Sequence, residues 1–497
     1  MAYRKWDDWK DQLPAIWSFL QSNKIEIKDS DKTNTWHAIA AKVEDDKLEL
    51  SGDFKSKQKE LMDALTAQDW SAKEGPCFVV VDGLKFVVAA VCSLDVLEKS
   101  KSRQFGIDLA EALQKKSSDY SLQLSDYDGL LTADVLHGVL VGFDSGKLWA
   151  TKNETKLPEH VFVPNITKQE LEHSVVWAES KLFCKFLQDG PANTINPQTV
   201  AQIAQDLFSS TDAAVEIMGL KEIEKEHMWS MLSVSDGSDI EPHVVTVHVK
   251  GKDSSKKVAL IGKGVTFDSG GINLKLAMLE DMKFDMSGSA AVLAAAYYFT
   301  KVQPQYDVIC SVGLTENLIN GLSSKPGDVV KTKKGKTVEI INTDAEGRLV
   351  LVDVMAYIQE KYKPTKMVDI ATLTGAVIFG LGHAGSAVVS NKAHVAEKQI
   401  EAAKKYGEPL WQLPMFPELN SSLKSHIADL TNLAPKMTGA GTVTAAIFLS
   451  NFVDTEEMDW VHIDIAGTAW NCSATGYHKK AGSGFGLASL IAAVEEY

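Results

Sequence analysis

The stretch Leu349-Val-Leu-Val-Asp-Val-Met-Ala-Tyr-Ile358 is apolar nearly all the way round a helical projection. A helix of that kind has no face to give to water, so it belongs inside a domain rather than on its surface. It sits in a helix expected over Arg348–Tyr362, and the next apolar run, Met367–Leu373, reads as a short strand. Outward from this pair the alternation repeats. Strands are expected at Lys257–Ile261, Asp307–Val312 and Trp460–Ile465, and helices at Ala290–Lys301, Val443–Val453 and Gly484–Tyr497. Short apolar strands alternating with helix-length segments predict a doubly wound α/β sheet from about residue 190 onward.

The first 160 or so residues mix short apolar runs, Cys77–Val81 and Phe86–Val91, with polar stretches, the pattern of a small α/β unit. A boundary is expected at Pro158 to Pro164, followed by a helical pattern from Thr167 to Leu187. The chain of 497 residues exceeds what one core usually serves, and its 45 % hydrophobic content can fill two. The expected organisation is α/β throughout: a small N-terminal domain (1–164), a connecting helix (165–190) and a larger C-terminal domain (191–497) with a mixed central sheet flanked by helices.

Composition narrows the function classes. The formal net charge is −15 and no dense cluster of Lys and Arg occurs, which disfavours nucleic-acid binding. Five cysteines, Cys77, Cys92, Cys184, Cys310 and Cys472, are scattered without a CxxC pair, so neither a disulfide framework nor a thiolate zinc site is expected. The opening Met1-Ala-Tyr-Arg-Lys-Trp-Asp-Asp-Trp-Lys lacks the form of a secretion signal, and no run of about 18 apolar residues occurs. A cytoplasmic protein with no membrane partner is expected.

Three polar clusters fall where strands are expected to end, the place where open α/β sheets bind ligands. They are Lys263-Gly-Val-Thr-Phe-Asp268-Ser-Gly-Gly, Lys283-Phe-Asp285-Met-Ser-Gly and Asn342-Thr-Asp344-Ala-Glu346-Gly-Arg348. Singly, each is an ordinary turn or an acidic helix start. Together they supply four carboxylates. Asp344 and Glu346 are two apart, so in an extended segment both can reach one cation. Four carboxylates balance two divalent ions, giving a cluster that can be buried without unpaired charge. No His or Cys ligand pattern accompanies them, which points to oxygen-rich sites for Zn²⁺, Mn²⁺, Mg²⁺ or Co²⁺.

Asn342-Thr-Asp-Ala-Glu-Gly-Arg-Leu resembles the signature octapeptide of the leucine aminopeptidase (cytosol aminopeptidase) family of dinuclear metallopeptidases. Gly262-Lys-Gly-Val-Thr-Phe-Asp-Ser-Gly-Gly-Ile, Asp369-Ile-Ala-Thr-Leu-Thr-Gly-Ala and Asp464-Ile-Ala-Gly-Thr-Ala-Trp resemble further family blocks in the same order, covering roughly residues 165–497. The resemblance implies that Asp268 and Glu346 bridge two metal ions, with Lys263 and Asp285 completing one site and Asp344 the other. A lysine ligand must be neutral, and two adjacent dications favour that form. Lys275 is implied to polarise the scissile carbonyl, and Arg348 to hold a bicarbonate ion as general base. Met282, Thr372, Ala466 and Ala469 are implied to line the pocket for an apolar, leucine-like first residue, and a metal to bind the substrate's α-amine.

The implied reaction is hydrolysis of the N-terminal residue from short peptides by a metal-activated water, in a homohexamer of two stacked trimers. One departure is that the segment from Leu276 to Phe284 is about one residue shorter than in the family, so Asp281 competes with Asp285 if the alignment slips. A two-metal phosphoesterase is the rival enzyme, and an inactive binding relative the rival outside enzymes. None of the twelve histidines falls in an HExxH or HxH arrangement. His462 reads as a core histidine, and the tryptophans as packing residues.

Overall fold

The computed structural model describes residues 15–497 except 23, 31–33, 45–46, 53, 72–74, 92–97, 116–119, 129, 145–155, 455, 457, 471 and 473–480. The opening decapeptide and Cys92, both read above, lie outside the described residues. The chain forms two compact units, and it passes from one to the other at Leu182–Phe183, inside the helix Lys168–Asp189.

The N-terminal unit holds a seven-stranded mixed sheet centred on Thr35–Glu44. That strand pairs in parallel with Leu84–Ala90 on one side and Ser121–Gln123 on the other. Ile39, Val79, Phe86 and Val88 from its strands pack with Leu61 and Leu65 of helix Gln58–Ala67. These alternating apolar positions form the core that the runs at Cys77–Val81 and Phe86–Val91 announced.

The C-terminal unit is built on eight strands: β1 (Ala214–Met218), β2 (His243–Val249), β3 (Asp253–Asp268), β4 (Tyr306–Asn317), β5 (Lys366–Ala371), β6 (Ser386–Ser390), β7 (Leu410–Gln412) and β8 (Asp459–Asp464). Their order across the sheet is β7-β6-β8-β5-β3-β4-β2-β1. The four in the middle, β8, β5, β3 and β4, run parallel, whereas β2 and β1 join antiparallel at one edge and β6 is antiparallel to β8 near the other. Parallel strands are covered on both faces, and every residue of β5 is accordingly buried.

Two helices position the polar loops: α1 (Ser287–Lys301) and α2 (Gly347–Tyr362). Every residue of α2 from Gly347 to Gln359 is buried, as its all-round apolar sequence requires. Val350, Val354 and Ile358 share one core with Ala259, Ile261 and Val265 of β3. The charge inside this helix, Asp353, is matched by backbone donors: Oδ2 accepts from the Met231 N–H at 3.0 Å and Oδ1 from the Lys333 N–H at 2.8 Å. Burial nonetheless pushes its pKa up to about 7, against the pull of those N–H groups.

The remaining strands of this unit make a small sheet of Val329–Lys331, Thr337–Glu339 and Leu430–Thr431. Its last pairing, Val338 with Leu430 and Glu339 with Thr431, is parallel. That register lays residue 432 alongside the octapeptide.

Candidate dinuclear metal centre

Lys263 and Asp268 lie five residues apart on β3, a spacing that places side chains on opposite faces of a regular strand. The ladder with β4 slips by one residue between Val265 and Phe267, which pair with Thr315 and Glu316. Thr266 is thus an extra, bulged residue, and the parity of the strand reverses there. Both side chains consequently enter one cluster. They stand at the C-terminal ends of the parallel strands, beside Asn317 at the end of β4 and Thr372 just past β5.

Lys263, only 2 % exposed, is the hub on one side. Its Nζ lies 2.7 Å from Asp285 Oδ1 and 2.8 Å from Glu346 Oε1, and it donates to the Thr372 carbonyl at 2.9 Å. The Thr372 hydroxyl donates to Asp285 Oδ1 at 2.8 Å. Lys275 is the hub on the other side, with Nζ 2.8 Å from Asp268 Oδ2 and 2.5 Å from Asp344 Oδ1. Asp268, Asp344 and Glu346 each offer an oxygen within 4.8 Å of the others. Asp285 stands outside that triangle and is joined to it through Lys263. Asp281 is not against Lys263; Asp285 takes that place.

Space here is closed to even one more carbon. A Cβ on Gly347 would come within 2.3 Å of Lys263 Cε, and one on Gly288 within 2.2 Å of the Ile370 carbonyl oxygen.

The electrostatics follow from burying unlike charges together. Burial raises Asp285 well above the ordinary carboxylate range, with Glu346 and Asp268 adding to it and Lys263 opposing. Asp268 is pushed up to about 6 by burial and by Glu346, and Asp344 moves up for the same two reasons. Burial would raise Glu346 also, but Lys263 and Lys275 outweigh it and hold Glu346 low. Burial would lower both lysines, yet the surrounding carboxylates raise them.

These residues suit divalent cations. The carboxylates outnumber the ammonium groups two to one, and Asp285 Oδ2 is buried with no hydrogen-bond partner. Arg348 suits a small anion in the same way. It is 3 % exposed, its Nη1 donates to the Asn432 carbonyl at 2.7 Å, and its Nε has no partner. Burial pushes its pKa down to about 10.

The other expected residues come from separate segments of the chain. Met282 is half-buried on the 3₁₀ segment Leu279–Met286. Ala466 packs with Val377 and Ala387, and Ala469 is fully buried. His462 is a core residue, its Nδ1 2.6 Å from Asp369 Oδ1. The Trp460 indole donates to the same carboxylate at 2.7 Å.

Sequence reasoning overlooked the amides that hold the ligands. Asn317 Nδ2 donates to Asp268 Oδ1 at 2.8 Å and to the Thr343 carbonyl at 3.0 Å. Asn273 Oδ1 accepts the Thr343 N–H at 2.9 Å, while the Thr343 hydroxyl donates to the Gly270 carbonyl at 2.7 Å. These bonds tie the turn after β3, which bears Lys275, to the octapeptide. Asn and Thr are common in turns, so no spacing singles them out.

Comparison with known proteins converges on the same region. The profile of the cytosol aminopeptidase family, catalytic domain, matches residues 182–491. A probable cytosol aminopeptidase of Desulfotalea psychrophila is 34 % identical over 461 residues, spanning 90 % of each chain. One of Clostridium perfringens is 35 % identical over 412 residues, 80 % of this chain and 83 % of the other. One of Alkaliphilus oremlandii is 43 % identical over 315 residues, 63 % of this chain and 62 % of the other.

Proposed function

Because the chain belongs to the cytosol aminopeptidase family, we propose that it removes the N-terminal residue, preferably an apolar, leucine-like one, from short peptides. The observation that supports this most is the largely buried set of four carboxylates and two lysines at the C-terminal ends of the parallel strands. In this proposal Lys263, Asp268, Asp285, Asp344 and Glu346 would hold two divalent ions. Zn²⁺ is the first choice, with Mn²⁺, Mg²⁺ or Co²⁺ as alternatives. The chemistry that such ions supply is acidification of a water molecule and polarisation of a carbonyl.

The chain's own groups supply the rest. With the ions bound, Lys263 would release its proton to solvent and serve as a neutral ligand, and the Thr372 carbonyl and hydroxyl keep its nitrogen and Asp285 in place. Lys275, whose side chain is 20 % exposed, can reach a bound peptide and place its positive charge where the scissile oxygen becomes negative. Arg348, whose buried Nε has no hydrogen-bond partner, would hold a bicarbonate, which would supply a general base. Met282, Thr372, Ala466 and Ala469 line the pocket for the first side chain.

Metal analysis paired with hydrolysis of a panel of aminoacyl amides and phosphate esters tests the proposal. Two ions per chain and turnover of leucine amide are expected. Turnover of phosphate esters alone would replace the peptidase with a phosphoesterase.

The same proposal includes a homohexamer in the cytoplasm, two trimers with their active sites facing an inner cavity that admits only short peptides. No described helix is long and apolar enough to cross a membrane. Light scattering is expected to give six times the 54.2 kDa chain mass. A fully active species of one chain mass would rule the hexamer out.

A further inference from the structure

Asn432 is completely buried at the end of the small three-stranded sheet, and every polar group it owns is engaged on the octapeptide or its flanks. Its Oδ1 accepts from the Ile341 N–H at 2.9 Å and the Asn342 N–H at 3.4 Å. Its Nδ2 donates to the Asn342 carbonyl at 2.7 Å and the Ala345 carbonyl at 3.3 Å. Its backbone N–H donates to the Glu339 carbonyl at 2.9 Å, and its own carbonyl takes the Arg348 guanidinium at 2.7 Å.

A carboxamide has two lone pairs and two hydrogens, and here all four face backbone groups of Ile341, Asn342 and Ala345. Those residues lie between strand Thr337–Glu339 and α2, where the strand ladder has ended and the helical bonds have not begun. Asn432 supplies the missing ladder from outside. Asp344 and Glu346 are thereby set in place by the same residue that orients Arg348. An aspartate at this position would lack the two donors, and a glutamine would overreach by one methylene.

We propose that Asn432 is a positioning residue that fixes the spacing of Asp344 and Glu346 and the direction of Arg348. It acts without touching substrate or metal, and this inference rests on the two-metal reading of the site.

The test uses the full chain with Zn²⁺ alone as the probe. Equilibrium dialysis gives stoichiometry and affinity, steady-state kinetics give kcat and KM separately, and thermal unfolding reports folding. Asn432→Ala removes the side-chain partner of four backbone groups on Ile341, Asn342 and Ala345. It is expected to weaken Zn²⁺ binding and lower kcat by about 10- to 100-fold, the usual cost of losing a partner that orients metal ligands. KM should change far less. Asn432→Asp keeps the shape and the two accepted bonds but turns an acceptor oxygen on the Asn342 and Ala345 carbonyls, so its losses should be as large as those of Asn432→Ala or larger.

A folded variant with wild-type Zn²⁺ affinity and kcat, showing only a lower Tm, would make Asn432 a purely structural residue. If neither variant folds, the positioning role is withdrawn. The wild type separates this inference from the one beneath it. Two ions on the wild type with no change in the variants overturns only the role of Asn432, whereas no ions on the wild type overturns the metal centre itself.

Discussion

Glu346→Gln should reduce peptidase turnover by about 10³-fold or more while leaving a folded chain. Divalent ions contribute several kcal/mol to transition-state stabilisation, and each 1.4 kcal/mol is tenfold in rate. Glutamine has the shape and nearly the volume of glutamate, so the closed packing around Gly347 and Lys263 is preserved. What disappears is the charge. Glu346 is the carboxylate that the lysines hold most firmly ionised, and it is among the proposed ligands of the two ions. Lys263 keeps Asp285 and the Thr372 carbonyl as partners, so its ammonium is not orphaned and folding survives. Asp344→Asn should behave in the same way. Chelation should inactivate the wild type, and Zn²⁺ or Mn²⁺ should restore it. Near-normal turnover of either variant in a metal-replete assay would sink the assignment.

Lys275→Ala should lower kcat by on the order of 10²-fold or more, with a much smaller effect on KM, because the ammonium acts on charge that develops only in the transition state. The structure adds a second reason to expect a large effect. Lys275 pairs with both Asp268 and Asp344, so its removal also leaves two proposed ligands less restrained. Metal content measured on the variant separates the two contributions. A change confined to KM would make Lys275 a substrate-positioning group instead.

The clustering of charged groups was legible because it is written locally: Asp344, Glu346 and Arg348 fall within five residues at the start of α2. The buried helix was legible for a similar reason, since its apolar surround leaves no other place for it. What could not be read depends on partners far along the chain. Asn432 is 90 residues from Asn342, and nothing in Asp-Leu-Thr-Asn-Leu marks it. The last helix was expected from Gly484 but begins at Leu487. There the carboxylate of Glu408, 78 residues earlier, takes the Gly486 N–H at 3.0 Å and so helps to start the first turn. Lys263 and Asp268 have the wrong parity for a shared site, and only the bulge at Thr266 reconciles them.

The crowding at Gly288 and Gly347 bears on how such a protein can diverge. Where an added methyl meets backbone or the Lys263 side chain at little more than 2 Å, drift by small steps is closed, and the floor of the site is inherited whole or lost. The chain beside it has no such restriction: Leu276, next to Lys275, is 98 % exposed. Novelty in what is cut can accumulate at positions of that kind, while the machinery that does the cutting stays frozen by its own lack of room.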